Sequence, residues 1–203
     1  MKQQIITPRR RLLIRRDSQA LQQILEYIQE TVSGKQILVL AGDDDSLARR
    51  LAPIAADTAA VFSEDVRKFE VQQPFPANLH FLRADYHALP FCNAAFDAVI
   101  SADTLHRIPN ADTAMQEIIR VMKPDGVLIA PACVHRDMTV NHTLADLALR
   151  RTIAWQPARR WTKNSYIAFL HQYGWHIRKG QMIRTAPPFS YAYAECIRKR
   201  SAE

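Results

Sequence analysis

The sequence LRADYHALPFCNAAFDAV, residues 82–99, holds the features that decide the fold of this chain. An apolar run ends before Asp85, a connection containing Pro90 follows, and a second apolar run begins at Phe96. Two short runs separated in this way predict strands over residues 79–82 and 96–101.

Further strands and helices are predicted upstream of this segment. QILVLA at residues 36–41 has no alternation, which is typical of a strand buried on both faces of a parallel sheet, and residues 58–63 predict another strand. Helical spacing predicts helices from Asp17 or Ser18 to near Gly34, over 46–54, over 65–71 and over 111–123, with turn and N-cap residues at 43–46. This alternation predicts a parallel α/β sheet that binds ligands at the carboxyl ends of its strands.

The C-terminal part departs from the alternation. A turn at residues 124–126 is predicted to end the preceding helix and to lead into a strand over 127–130. Residues 134–160 mix helix and loop signals and are predicted to form a lid. A helix beginning at Thr162 or Asn164 precedes strands over 175–184 and 189–197, which are close enough to form an antiparallel hairpin. With 203 residues in all, a single domain is expected over residues 1–203.

Composition excludes several classes of protein. The chain has five glycines, all scattered, so it holds neither a P-loop nor a dinucleotide-binding fingerprint. Its three cysteines form no CxxC pair and are expected to be reduced thiols. No apolar run reaches the roughly 18 residues of a membrane span. A soluble, unexported, cytoplasmic protein is therefore expected.

The net charge of +7 is concentrated near the ends of the chain. The arm formed by residues 1–16 contains five arginines and no acidic residue. A solvated arm is the favoured interpretation, while contact with RNA or packing on a partner subunit stays open.

The motifs around residues 82–99 follow one another in a set order. After Asp85 come Leu89-Pro90-Phe91, Phe96-Asp97, Leu105-His106-Arg107 and finally Arg120-Val121-Met122-Lys123-Pro124-Asp125-Gly126. In this order the chain resembles the class I S-adenosylmethionine (SAM)-dependent methyltransferases over residues 36–132. The resemblance implies a Rossmann-like, doubly wound α/β sheet of seven strands, mostly parallel with an antiparallel last strand, and helices on both faces. It also implies SAM as cofactor and methyl transfer to a small-molecule acceptor.

The same resemblance implies roles for residues at the strand ends. Asp85 would accept a hydrogen bond from the adenine amino group with Tyr86 beside the ring, and Glu64 or Asp65 would bind the ribose hydroxyls. His106 is the candidate base for a hydroxyl or amine acceptor. The other residues expected at the cofactor are Ala41, Gly42, Asp43 and Ser101. Asp85 as a turn cap, Asp65 as a helix cap and His106 as a surface histidine remain alternatives.

Other polar and aromatic residues have two interpretations each. Asp97 is expected to hold the fold as a hydrogen-bond acceptor rather than to contact a ligand. Asp103 is a second polar candidate near His106. Trp155, Trp161 and Tyr166 are expected either to pack in the core or to line an acceptor pocket, with core packing favoured.

The first loop departs from the family pattern. Family members have an acidic residue and a Gly-x-Gly-x-Gly turn here, whereas this chain has Val39 for the acid and Ala41, Asp43 and Asp45 for the glycines. Only Gly42 is retained, one position away, so three side chains are expected to project where the backbone must approach the cofactor. The acidic residues suit either the cofactor's ammonium group or a helix N-terminus.

Two further functions stay open. The missing glycines favour a catalytically inactive methyltransferase-like domain that acts as a binding or scaffolding protein. The basic arm favours an RNA methyltransferase, which ranks last because the chain has no Asn-Pro-Pro-Tyr or Asp-Pro-Pro-Tyr sequence. The partners expected are a small-molecule methyl acceptor and a second copy of the chain in a homodimer, with no nucleic acid, membrane or metal ion.

Overall fold

The computed structural model describes residues 18–42, 45–63, 74–101, 104–135, 161–184 and 189–198. The basic arm, the helix predicted over 65–71 and residues 136–160 of the predicted lid, with Trp155, lie outside these ranges. The elements in chain order are α1 (Ser18–Val32), β1 (Gln36–Gly42), α2 (Ser46–Leu51), β2 (Asp57–Phe62), β3 (Leu79–Arg83), β4 (Phe96–Ser101), a 3₁₀ turn (Leu105–Arg107), α3 (Ala111–Val121), β5 (Met122–Ile129), β6 (Ala132–His135), α4 (Lys163–Gln172), β7 (Trp175–Arg184) and β8 (Phe189–Arg198).

All eight strands belong to one sheet. Strands β3, β2, β1, β4 and β5 are parallel neighbours in that order, and β8 runs antiparallel to β5, β6 and β7. Ala192 of β8 pairs with β7 on one side and β6 on the other, while Cys196 pairs with β7 and β5. Strands β5 and β6 therefore follow one another along one edge of β8, like one strand interrupted at residues 130–131. The predicted mostly parallel sheet, with its antiparallel last strand and closing hairpin, is confirmed, but the described residues form eight strands and not seven. The additional strand is β6, which includes residues 134 and 135 of the predicted lid.

The two faces of the sheet pack against different helices. In β1, Ile37, Val39 and Ala41 lie in an apolar cluster with α1 and α2. Leu38 and Leu40 lie in a second cluster with α3 and α4. Residues 37–41 are all buried, so β1 is covered on both faces, as its unbroken apolar sequence predicts.

The helix α3 ends two residues earlier than predicted. Its last carbonyl groups, those of Arg120 and Val121, accept hydrogen bonds from the N–H groups of residues 94 and 95. Met122 already pairs with Phe96 as the first residue of β5, and residues 124–126 lie inside that strand beside a register shift. Residues 123–126 have no partner on β4, because Met122 pairs with Phe96 and Val127 with Ala98, so the predicted turn lies inside β5 rather than before it.

Asp97 holds this junction together. One carboxylate oxygen accepts the N–H of Gln36 at 3.0 Å, and the other binds the ammonium group of Lys123 at 2.7 Å. The carboxylate thereby joins the start of β1 to the start of β5. Its predicted role as an acceptor that holds the fold is confirmed.

The helix α4 begins at a reciprocal cap. The Thr162 hydroxyl accepts the N–H of Ser165, and the Ser165 hydroxyl accepts the N–H of Thr162. Trp161 and Tyr166 beside this cap are 5% and 1% exposed, and both rings lie within the core. Core packing is thus confirmed for these two residues.

Strand β8 contains a buried carboxylate, that of Glu195, which is 2% exposed. The Thr31 hydroxyl of α1 donates to it at 2.9 Å, and the Tyr193 hydroxyl donates at 3.4 Å. The guanidinium of Arg178 on β7 forms an ion pair with it. This group of contacts joins α1 to the closing hairpin, and a buried carboxylate is tolerated only when such donors surround it.

No helix within the described ranges is long and apolar enough to cross a membrane. The three cysteines are free thiols, of which Cys133 and Cys196 are buried and Cys92 is exposed. Burial raises the pKa of the Cys196 thiol to about 12.

Arg178→Met is expected to lower the free energy of unfolding by about 3 kcal/mol, because it leaves the Glu195 charge buried without its counter-ion. For a chain of this length the melting temperature falls by roughly 6–12 °C, as measured by thermal unfolding. Arg198→Met, at an exposed position of β8, is the control and changes the free energy of unfolding by less than about 0.5 kcal/mol. An Arg178→Met protein as stable as the parent would contradict this account of the ion pair.

Candidate active site

The carboxyl ends of β1, β2, β3 and β4 lie along one edge of the sheet, because these four strands are parallel neighbours. This edge brings together five of the nine predicted site residues, namely Ala41, Gly42, Asp85, Tyr86 and Ser101. His106 has its backbone in the 3₁₀ turn after β4, and its side chain lies outside the described part of the structure. Asp43, Glu64 and Asp65 lie outside the described residues, as does Asp103.

The hydroxyl group of Tyr86 connects two strand ends. It accepts the N–H of Gly42 at 3.1 Å and donates to the carbonyl of Val61 at 3.3 Å. The Tyr86 side chain is buried among core residues that include Leu40 and Leu89. Tyr86 therefore ties the ends of β1 and β2 together from its position after β3.

Gly42 is required by the backbone at the end of β1. Its φ of +62° lies in the left-handed region, which glycine adopts without strain. A Cβ atom at this position would lie 3.4 Å from Nη1 of Arg107 and 3.6 Å from the hydroxyl of Thr104. The Thr104 hydroxyl donates to the Leu40 carbonyl at 2.8 Å, and the Arg107 N–H donates to the Thr104 carbonyl at 2.8 Å. The loop after β4 is thus fastened onto the end of β1.

Sequence reasoning missed Thr104 and Arg107. The available signal was a departure at Arg107: the family that the chain resembles has Leu-His-His at this place, whereas this chain has Leu105-His106-Arg107. No local sequence pattern indicates a role for Thr104, because its hydrogen bond joins residues that lie 64 positions apart.

Two residues at former glycine positions do not obstruct this edge. The Ala41 side chain lies in the cluster with α1 and α2, so its methyl group is part of the core. Asp45 makes no side-chain cap to α2 but pairs with Arg49 one turn later, at 2.5 Å. The expectation that Ala41 projects into the cofactor approach is therefore wrong, whereas Asp45 occupies the predicted N-cap position without a side-chain capping hydrogen bond. The competing ion pair with Arg49 explains the missing cap.

Asp85 forms a local turn with His87. Its Oδ1 accepts the N–H of His87 at 2.9 Å and lies 2.6 Å from Nδ1 of the same residue. The backbone hydrogen bond is the main cause that lowers the pKa of the Asp85 carboxyl. An ionised carboxylate only accepts, so Nδ1 of His87 carries the hydrogen. The turn-cap interpretation of Asp85 is thus observed, and its side chain is still 50% exposed, so a ligand can reach it.

Ser101 provides a polar group inside this edge. It is 1% exposed at the last position of β4, next to Leu40 of β1. Its hydroxyl is buried and has no hydrogen-bond partner among the described residues. Buried hydroxyl groups are usually satisfied, so an orphan at the carboxyl end of a parallel strand fits a ligand contact.

These residues fit SAM in part. Asp85 offers an accessible acceptor for an amino group, and Ser101 offers a buried hydroxyl. The amide of Gly42 differs from the family pattern, because it already donates to Tyr86. Within the described ranges no group of three or more His, Cys, Asp or Glu side chains is arranged to hold a metal ion.

The loop between β3 and β4 is held by Arg120 of α3. Its guanidinium donates to the carbonyl groups of Leu89 and Phe91 at 2.9 and 2.8 Å and to Glu117 at 2.7 and 2.8 Å. Glu117 in turn accepts the N–H of Leu89 at 2.8 Å. The ion pair between Arg120 and Glu117 thereby fixes the segment that follows Asp85.

Glu117→Gln is expected to lower the free energy of unfolding at pH 7 by about 1–2 kcal/mol, because it weakens charge-assisted hydrogen bonds. Hydrogen bonds from Arg120 lower the pKa of Glu117 in the folded protein. The ionised Glu117 therefore contributes to the free energy of unfolding at any pH above its pKa in the unfolded chain, and this contribution is lost as the pH falls through its pKa in the folded protein. The difference between the two proteins should therefore shrink between pH 5 and pH 3 in urea denaturation. Glu26→Gln, on the exposed side of α1, is the control. A difference that is independent of pH would contradict the ion pair.

Tyr86→Phe is expected to lower the free energy of unfolding by about 1–3 kcal/mol, because the buried N–H of Gly42 loses its acceptor. Tyr173→Phe is the matched control, since it removes a buried hydroxyl that has no partner among the described residues. Urea denaturation should show little change for Tyr173→Phe. Equal effects of the two substitutions would argue against the bridge between the strand ends.

Comparison with known proteins identifies the central part of the chain. Residues 41–130 match the methyltransferase-domain family. A ubiquinone/menaquinone biosynthesis C-methyltransferase of Coxiella burnetii is 32% identical over 105 residues, which cover 48% of this chain and 42% of that protein. The protein of the same name from Pseudomonas putida is 30% identical over 105 residues, which cover 48% and 41%. The match thus spans about two fifths of the length of these curated relatives.

Solved structures match a larger part of the chain. The 1,6-didemethyltoxoflavin-N1-methyltransferase of Burkholderia thailandensis, bound to 1,6-didemethyltoxoflavin and S-adenosylhomocysteine, has a TM-score of 0.64 at 12% identity and covers 98% of this chain and 94% of its own. A putative methyltransferase in complex with the Haloferax volcanii Trm112 methyltransferase activator has a TM-score of 0.70 at 13% identity, covering 94% and 93%. At these identities the likeness concerns the fold. Residues 41–130 are therefore similar to the methyltransferase-domain family, and the chain has the fold of these solved methyltransferases.

Proposed function

We propose that this protein is a SAM-dependent methyltransferase that acts on a small-molecule acceptor. The observation that carries the proposal is the buried hydroxyl of Ser101, which has no partner among the described residues and lies beside the end of β1. Leaving such a group without a hydrogen bond costs about 1–3 kcal/mol, which a ligand at this edge recovers. Gly42 ends the adjacent strand β1, and Asp85 follows β3, two strands further along the same edge, so a ligand that reaches all three must span the ends of β4, β1, β2 and β3.

Most of the proposed site residues bind and orient the cofactor and the acceptor and take no part in bond making. Bound SAM supplies a methyl group on a sulfonium, and holding an acceptor in line with it contributes roughly 7–11 kcal/mol. Asp85 accepts a hydrogen bond from the adenine amino group, since its lowered pKa keeps the carboxyl ionised at neutral pH. Tyr86 sits beside the adenine ring, and Glu64 and Asp65, directly after β2, accept from the ribose hydroxyls. Ala41, Gly42 and Asp43 form the loop at the amino-acid portion of the cofactor.

His106 takes the proton from an acceptor hydroxyl or amine. Support comes from its place in the turn directly after β4, at the edge where Ser101 lies. Histidine is suited to this role because its ordinary pKa is near 6.5, so the neutral base is abundant at pH 7.

The proposal also covers the methyl acceptor, the domain organisation, the location and the oligomeric state of the protein. A relative named as a C-methyltransferase of ubiquinone/menaquinone biosynthesis and a structural neighbour named as a 1,6-didemethyltoxoflavin-N1-methyltransferase support a small-molecule acceptor over a nucleic acid. We infer a single domain over residues 1–203, with residues 136–160, the part of the predicted lid that follows β6, as a lid over the acceptor. Three free cysteines are compatible with a cytoplasmic location, where thiols stay reduced. A homodimer completes the proposal.

A second candidate is a catalytically inactive domain that serves as a binding or scaffolding protein. The contact that favours it is the hydrogen bond from the Gly42 amide to Tyr86, which occupies a backbone group at the cofactor loop. The two candidates differ in a measurable property, because an inactive scaffold has no need to bind the cofactor.

The proposed function predicts stabilisation by SAM and by its demethylated product, S-adenosylhomocysteine. At about 100 times the dissociation constant a ligand adds about 2.7 kcal/mol, which raises the melting temperature by roughly 5–10 °C. Asp85→Ala and Ser101→Ala should reduce this shift, and His106→Ala should lower turnover while preserving it. Thermal-shift titration followed by calorimetry measures the binding.

Asp57→Ala is the matched control for Asp85→Ala. Asp57 also pairs with a histidine, His80 at 3.0 Å, and is 45% exposed, but it begins β2 at the opposite edge of the sheet. The variant should keep the full shift. A cooperative melt that neither ligand shifts at millimolar concentration would refute the methyltransferase proposal and favour the inactive domain.

A further inference from the structure

We propose that the guanidinium of Arg107 binds the carboxylate of the cofactor's amino-acid portion, in place of the backbone amides of a glycine-rich turn. This inference rests on the proposed function, since it concerns the same cofactor. It assigns a ligand-binding role to a residue at which the chain departs from the family motif.

The position of Arg107 is the first observation. Its Nη1 lies 3.4 Å from the point where a side chain on Gly42 would begin, so the guanidinium covers the end of β1. Arg107 is held there through its backbone, because its N–H binds Thr104 and the Thr104 hydroxyl binds the Leu40 carbonyl. Two hydrogen bonds thus place the start of this long side chain on the cofactor loop.

The engaged amide is the second observation. A ligand carboxylate at the end of β1 needs hydrogen-bond donors, and the N–H of Gly42 already donates to Tyr86 at 3.1 Å. Ala41 lies at the irregularity of β1 between Leu40 and Gly42, and its side chain packs into the core. A guanidinium presents donors in a planar fork that matches a carboxylate, so Arg107 provides the donors that this backbone does not.

The charge of the loop is the third observation. Three aspartates, residues 43–45, follow Gly42, and of these Asp45 is paired with Arg49. Acidic residues directly after Gly42 attract an ammonium group and repel a carboxylate. An amino-acid head group carries one of each charge. The acidic residues that follow Gly42 in the sequence and the Arg107 guanidinium over Gly42 offer such a zwitterion one charge of each sign.

Two ligands that differ only in the carboxylate test the inference. Calorimetry should compare S-adenosylhomocysteine with its decarboxylated analogue, which keeps the ammonium group. Hydrogen bonds to charged groups correspond to roughly 10–150-fold in affinity, so the parent protein should prefer S-adenosylhomocysteine by about tenfold or more. Arg107→Met should bind both ligands alike, at the affinity that the parent shows for the analogue.

Arg107→Lys and Arg50→Met complete the experiment. The lysine keeps the charge without the fork, so an intermediate preference is expected even if the methionine variant fails to fold. Arg50 is exposed on α2, and its removal should leave the preference unchanged. A parent protein that binds both ligands equally, or an Arg107 variant that keeps the parent's preference, would overturn the inference while leaving the proposed function intact. Binding of neither ligand by the parent would overturn both.

Discussion

Strand β1 is buried on both faces and hydrogen-bonded along both edges, and the arrangement of the candidate site follows from this constraint. Its residues 37–41 are at most 4% exposed, and β2 and β4 occupy its two edges. Only the carboxyl end of β1 is therefore open to a ligand. At this end Gly42 adopts a left-handed conformation and turns the chain out of the sheet. Loops from the neighbouring strands converge on that point, because every parallel strand around β1 ends at the same edge.

Side-chain hydroxyl groups hold this edge together. Tyr86 reaches from the end of β3 to those of β1 and β2, and Thr104 reaches back from the loop after β4 to Leu40. Each bond joins segments that are 25 or more residues apart, so it forms only once the sheet has formed. The ion pair between Glu117 and Arg120 adds a third connection by holding the segment after Asp85. Rigid strands and these cross-links preorganise a site made of loops, which limits the ordering cost of binding.

The sequence predicted the elements whose residues carry their own pattern. Strand β4 and the closing hairpin were located within one residue, because continuous burial and the Pro187-Pro188 joint are local signals. Two ion pairs accompany the departures from the predictions: Lys123, at the end of the predicted helix, binds the distant Asp97, and Asp45 pairs with Arg49 one turn along α2 instead of capping that helix. Among site residues, Asp85, Gly42 and Ser101 were predicted to lie at the carboxyl edge of the sheet and do so. The contact of Arg107 with Gly42 was not predictable, since it depends on how two loops fold together.

Loss of the glycine motif is weaker grounds for an inactive protein than the sequence alone suggests. A glycine matters where a side chain would obstruct a ligand or where φ is positive, and the two conditions can be checked separately. Gly42 occupies the position with positive φ, while the Ala41 methyl group points into the core and obstructs nothing. The consequence of the altered motif is therefore a change in how charge is presented at the end of β1. With acidic residues and the Arg107 guanidinium in place of backbone amides, the proposed loop suits a zwitterionic head group. The altered motif thus favours a different way of binding the cofactor over the loss of cofactor binding.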